Sequence, residues 1–151
     1  MIAPAPPVFL DLETTGLDPV VHQILEVGII TEEGHEVHFS LPIDRIDPGA
    51  AKVNRYYERR DELKAIEITE REAMIEFSTW LRGAVFVGNY VQFDLRFIEC
   101  FLRRMHCGLN SPPWHYHPVH LKALVPGTYG LGPAPWSSGQ VARAVGVDIP
   151  K

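Results

Sequence analysis

The stretch Val8-Phe9-Leu10-Asp11-Leu12-Glu13-Thr14-Thr15-Gly16-Leu17 decides how the chain is read. An apolar run ends in two carboxylates at i and i+2, and turn chemistry follows at once. Side chains in an extended segment alternate between faces, so Asp11 and Glu13 share one face while Leu10 and Leu12 share the other. Two like charges on one patch raise a pKa or recruit a cation, and hard oxygen ligands suit Mg2+ or Mn2+ rather than zinc. The plainer reading of the same pair is the solvated face of an edge strand. Against it, Phe9 lies on the carboxylate face, and Val8-Phe9-Leu10 is apolar on both faces, as in a central strand.

Working outward, residues 8–13 read as a strand and Gly16-Leu17-Asp18-Pro19 as a turn. Residues 23–31, rich in β-branched side chains, read as a second strand. Glu32-Glu33-Gly34 is hairpin chemistry leading to a third strand over 35–43, where Val37, Phe39 and Leu41 alternate with polar neighbours. Three strands joined by short turns make an antiparallel meander. Residues 44–64 predict a loop and a short helix. Thr69-Glu70-Arg71-Glu72 has the form of a capping box, and Ala73, Phe77, Trp80 and Leu81 continue it as a helical stripe ended by Gly83. Residues 84–88 form a short apolar strand buried on both faces. From about Phe93 to Met105 a helix places Asp94, Ile98, Phe101 and Met105 on one face. The Pro- and Gly-rich segment 126–135 reads as irregular, and Ser137-Ser138-Gly139-Gln140 opens a last helix through Val141, Ala144 and Val145.

A length of 151 residues with 46% hydrophobic content fits one globular domain, 1–151. The opening Met1–Pro7 has neither a basic nor an apolar leader region, and no apolar run is long enough to span a bilayer, so a cytoplasmic protein is expected. Cys100 and Cys107 have no metal-site spacing and are expected as reduced thiols. A formal net charge of −5 argues against nucleic-acid binding through a broad basic surface. It leaves room for an enzyme whose bound divalent cations supply the local positive charge. Arginines of the Arg55–Arg60 segment, Arg96, Arg103, Arg104 and Arg143 are candidates for a few phosphate contacts, and none is assigned a role.

Asp94 opens a helix directly after a buried strand, on a stripe that otherwise carries apolar residues. Helix capping is the ordinary use of an Asp there. If strands 8–13 and 84–88 lie side by side in a mixed sheet, Asp94 instead approaches Asp11 and Glu13 and completes a three-carboxylate cluster.

Asp11-Leu12-Glu13-Thr14-Thr15-Gly16-Leu17-Asp18-Pro19, followed by Ile24-Leu25-Glu26-Val27-Gly28-Ile29-Ile30, resembles the first motif of the DEDD 3′-to-5′ exonuclease superfamily, DEDDh type. Gly88-Asn89-Tyr90-Val91-Gln92-Phe93-Asp94-Leu95-Arg96-Phe97-Ile98 resembles its second. In the second, Asn89 and Tyr90 stand where the commonest form has His-Asn, closer to the oligoribonuclease variant, while Phe93 follows the proofreading pattern. The resemblance implies an α/β, ribonuclease H-like fold: a mixed five-stranded sheet, meander first and βα crossovers after, flanked by helices. It implies Asp11, Glu13 and Asp94 as catalytic ligands of two Mg2+ or Mn2+ ions that activate water and stabilise the transition state, roughly 3.5–4 Å apart. Thr14, Thr15, Gly16, Leu17 and Asn89 are implied to hold the terminal nucleotide, Leu17 wedging against its base. The implied reaction releases nucleoside 5′-monophosphates from single-stranded DNA or RNA 3′ ends, with a DNA polymerase or replication complex as a partner and no membrane.

The family's third motif, a His followed five positions later by Asp, supplies a general base and a fourth carboxylate. His106, His115, His117 and His120 all lack that Asp, and Asp148 is the sole Asp after Asp94. The motif is expected past Lys151, with 137–147 resembling the helix before it, so the given chain is expected to be a shortened form. The alternative is a non-catalytic nucleic-acid- or partner-binding module of the same fold. Asp11-x-Glu13-x-Thr15 also loosely resembles the nucleophile motif of haloacid-dehalogenase-like phosphatases, but that motif has Asp at the Glu13 place and needs a downstream acidic pair.

Overall fold

Strand β1 (Pro7–Thr14) is paired on both edges, and that double pairing organises everything around the Asp11–Glu13 patch. The computed structural model describes residues 6–105, 113–115, 117–130, 132 and 137–146. Strands β2 (Ile24–Thr31) and β3 (Glu36–Ser40) continue the antiparallel meander, with Leu12 opposite Val27 and Val27 opposite Phe39. On its other edge β1 pairs in parallel with β4 (Val85–Gly88), which pairs in parallel with the two-residue β5 (Val119–His120). The order is β3-β2-β1-β4-β5, a mixed five-stranded sheet.

Helices α1 (Pro48–Val53), α2 (Arg60–Ala65) and α3 (Glu70–Trp80) lie between β3 and β4, α4 (Val91–Arg104) crosses from β4 to β5, and α5 (Leu121–Thr128) and α6 (Ser138–Ala144) follow. Both capping boxes form: Thr69 and Glu72 exchange bonds at α3, Ser137 and Gln140 at α6. One face of the sheet is the core. Val8, Leu10, Leu12, Val27, Ile29 and Phe39 pack against Phe77 of α3 and Phe97, Ile98 and Phe101 of α4. Phe77 bridges the layers, 5.8 Å from Phe39 and 5.5 Å from Phe101 between ring centroids. Burying each such side chain contributes about 1.5–3 kcal/mol, enough for this face to fix α4 and the Asp94 it carries.

Three expectations change. Phe9 is 43% exposed and its partner Ile30 47%, so β1 is central through its hydrogen bonds and not through two covered faces. Residues 44–64 hold two short helices, because the Asp47 side chain accepts from Gly49 and Ala50 N–H and Pro48 pre-sets the first turn of α1. The segment expected to be irregular from Pro126 begins inside α5, where Val125 and Pro126 are both buried. Burial there outweighs the backbone bond that proline forgoes.

Candidate active site

Parallel pairing of β1 and β4 brings their C-terminal ends to one edge of the sheet, so the acidic end of β1 meets the first turn of α4. Asp94 is buried there, 6% exposed, and its Oδ1 accepts a hydrogen bond from the Leu12 N–H at 3.2 Å. That amide lies between Asp11 and Glu13, so one backbone atom ties the helix carboxylate to the strand pair. Gly88 permits the approach: a Cβ there would stand 3.0 Å from the Leu10 carbonyl and 3.0 Å from Val91 Cγ2. The positive end of α4 favours an acidic residue in its first turn, offsetting part of the cost of burial.

The three carboxylates disturb one another. Burial, then the charge of Asp11, push Asp94 up to about 7, while the Leu12 amide pulls the other way. Glu13 is raised by burial and by Asp11 and Glu26, with Arg59 opposing. Asp11 stands exposed on the open face, yet crowding by neighbouring atoms and the charge of Glu26 raise it as well. A cation relieves all three at once. The cluster is a shared edge and not a closed cage: among the described residues, no three His, Cys, Asp or Glu side chains converge closely enough to enclose an ion alone. Like charges at the ends of rigid elements stand apart. The donor set still fits Mg2+ or Mn2+, because Mg2+ takes one or two carboxylates and completes its shell with water and substrate phosphate.

Beside the carboxylates opens a cleft of about 580 Å³, lined among others by Glu13, Leu17, Ala50, Val53, Asn54 and Phe93. The loop after β1 forms its rim. Thr14 is buried and its hydroxyl donates to the Gly16 carbonyl at 2.7 Å. Thr15 is wholly buried: its hydroxyl accepts from the Gln23 N–H at 2.9 Å, and its carbonyl accepts from the Asp47 N–H at 2.8 Å. Through these bonds Thr15 braces the loop that forms the rim. Gly16 and Leu17 line the cleft, and Leu17 projects with 83% exposure. A Cβ at Gly16 would come within 2.3 Å of the His22 ring, which the Asp18 backbone holds in place. Asn89 lies half-buried between β4 and α4, outside the residues that line the cleft. His120 ends β5 opposite Gly88, its ring 6.4 Å from that of Tyr90; His106, Cys107 and Asp148 lie outside the described residues.

Sequence reasoning missed two features. Asn54, buried at the end of α1, donates from Nδ2 to the Thr14 carbonyl at 2.9 Å and docks that helix as the far wall of the cleft. Glu26 sits opposite Glu13 in the β1–β2 ladder and is gripped by Arg59 and His38. Strand alternation placed Glu26 on a face. Its alignment with Glu13 comes from the continuous β1–β2 register that runs from Val8 opposite Thr31 to Glu13 opposite Glu26, which no local pattern announces.

Residues 8–117 match the family model RNase_T, described as Exonuclease. Over 104 residues the chain is 29% identical to the PolC-type DNA polymerase III of Thermotoga maritima, a match covering 65% of this chain and 7% of that protein. The PolC-type DNA polymerase III of Staphylococcus aureus (strain bovine RF122 / ET3-1) is 26% identical over 109 residues, covering 69% of this chain and again 7% of that protein. Among solved structures, apo exonuclease I superposes with a TM-score of 0.69 at 17% identity, covering 95% of this chain and 38% of that one. Escherichia coli exonuclease I in complex with a dT13 oligonucleotide superposes with a TM-score of 0.68 at 16% identity, covering 96% and 36%. The chain spans a small part of these relatives, and the fold it shares with them is ribonuclease H-like.

Proposed function

The chain belongs to the RNase_T exonuclease family, and we propose that it is a metal-dependent 3′-to-5′ exonuclease that releases nucleoside 5′-monophosphates from single-stranded DNA or RNA. The observation that carries this reading is the shared edge, where Asp94 is joined to the Asp11–Glu13 pair through the Leu12 amide, beside a cleft of nucleotide size. Asp11 and Glu13 hold the ions from β1 and Asp94 holds them from α4. Two Mg2+ or Mn2+ ions held there would supply a water nucleophile at neutral pH and would neutralise the charge that develops on the phosphate and the leaving 3′ oxygen. The loop of Thr14, Thr15 and Gly16 positions the terminal nucleotide, Leu17 wedges against its base, and Val53 and Phe93 give the base an apolar wall. Asn89, in the turn between β4 and α4, contributes to nucleotide binding.

The polymerase names of the curated relatives support a replication or repair setting beside a DNA polymerase. No helix among the described residues is long and apolar enough to cross a membrane, which is compatible with the cytoplasmic location we propose. The test is an end-labelled single-stranded oligonucleotide with Mg2+ or Mn2+, using the full-length gene product. Stepwise release of monophosphates, lost in Asp11→Ala, supports the proposal. Oligonucleotide binding with no turnover identifies a binding module instead.

A further inference from the structure

Glu26 presents a physical difficulty on the open face of the sheet. It lies directly opposite Glu13 in the antiparallel ladder, where like charges are destabilising, and its side chain is only 9% exposed. A buried carboxylate beside two other carboxylates needs compensation. Arg59 provides it: Nη1 donates to Oε2 of Glu26 at 2.9 Å and Nη2 to Oε1 at 2.6 Å, with His38 Nε2 on the same Oε1 at 2.7 Å. The guanidinium is itself anchored, since Nη2 also donates to Glu62 at 2.8 Å. Arg59, Glu26 and His38 line one groove of about 290 Å³ together with Asp11 and Glu13, and Gly28 contributes no side chain to fill it.

Neither Asp94 nor any other residue of α4 lines that groove. Without its guanidinium, Asp11, Glu13 and Glu26 would form a second basin of negative charge, competing for divalent cations with the edge that includes Asp94. We infer that Arg59 is a positioning residue acting as the site's built-in cation: by saturating Glu26 it directs divalent ions to the Asp11, Glu13 and Asp94 edge. Arginine suits this task because its charge is permanent and its planar fork matches a carboxylate with two parallel bonds. The inference rests on reading Asp11, Glu13 and Asp94 as cation ligands.

Mn2+ binding to the full-length protein without nucleic acid, followed by loss of the free-ion electron paramagnetic resonance signal, tests it. Arg59→Met removes the charge and keeps most of the apolar stem; it is expected to bind Mn2+ about tenfold more tightly or to take up an extra ion. Adding Glu26→Gln to that variant restores the wild-type stoichiometry. Glu26→Gln alone leaves the guanidinium beside Glu13 balanced by Glu62 only and weakens Mn2+ binding several-fold, so the test survives should Arg59→Met fail to fold. A merely structural Arg59 would leave both affinities where they were, and unchanged Mn2+ binding in folded Arg59→Met or in Glu26→Gln overturns the inference while the exonuclease reading stands. Wild-type protein with no Mn2+ binding sensitive to Asp11→Asn removes that reading, and the inference with it.

Discussion

Asp94→Asn should stabilise the metal-free protein, and only at neutral to alkaline pH. In the fold the Asp94 carboxyl titrates at about 7, against an ordinary aspartate value of 3.8. The folded chain therefore keeps a proton on Asp94 that the unfolded chain has already released, so stability is lost as pH rises from about 4 to 7 and is level above that. At ~1.36 kcal/mol per decade, the full penalty at pH 8 is ~4 kcal/mol. Asparagine carries no charge, and its Oδ1 can still accept the Leu12 amide that Asp94 accepts at 3.2 Å. Urea unfolding in EDTA, at pH 4.5 and pH 8, measures the difference. With a urea slope of about 2 kcal/mol per molar, the variant's midpoint should exceed the wild type's by ~2 M at pH 8 and by little at pH 4.5. Adding Mg2+ or Mn2+ at pH 8 should narrow the gap from the wild-type side, because only the carboxylate gains from the ion. An equal difference between the two proteins at both pH values would refute the argument that burial and Asp11 hold this proton.

The other predictions separate scaffold from site. Asn54→Ala removes the bond to the Thr14 carbonyl and unmoors α1; a loss of about 1–3 kcal/mol in urea unfolding is expected, together with weaker oligonucleotide binding in a fluorescence titration. Leu17→Ala touches a residue 83% exposed, so its unfolding midpoint should match the wild type, while affinity for a 3′-terminal nucleotide should fall by about 1–2 kcal/mol as the apolar contact of the wedge with the base is lost. Phe101→Ala, at a core position 2% exposed and in ring contact with Phe77, should cost about 3–5 kcal/mol in thermal or urea unfolding.

Much of the fold was legible along the chain because the forces involved are short-ranged. The Thr69–Glu72 and Ser137–Gln140 capping boxes span three residues, and the α4 stripe from Asp94 to Met105 repeats with the helical period. Phe9 misled for the same reason: alternation tells which face a side chain occupies, and says nothing of what covers that face. Thr15 was legible as part of a motif, yet its burial depends on Gln23 and Asp47, which belong to other segments.

By itself, then, the sequence determined the three-strand meander, the strand at 84–88, the helices that became α3, α4 and α6, and the placing of Asp11 and Glu13 on one face, since alternation and helical repeat act over a few residues. Tertiary structure alone decided what those carboxylates meet. Asp94 reaches Leu12 across 82 residues, Asn54 reaches Thr14 across 40, and Arg59 reaches Glu26 across 33. The first depends on the pairing of β1 with β4 and the start of α4, the other two on how the ends of α1 and α2 dock against β1 and β2. Those are set by the sum of core packing over the whole chain, and no local pattern encodes them.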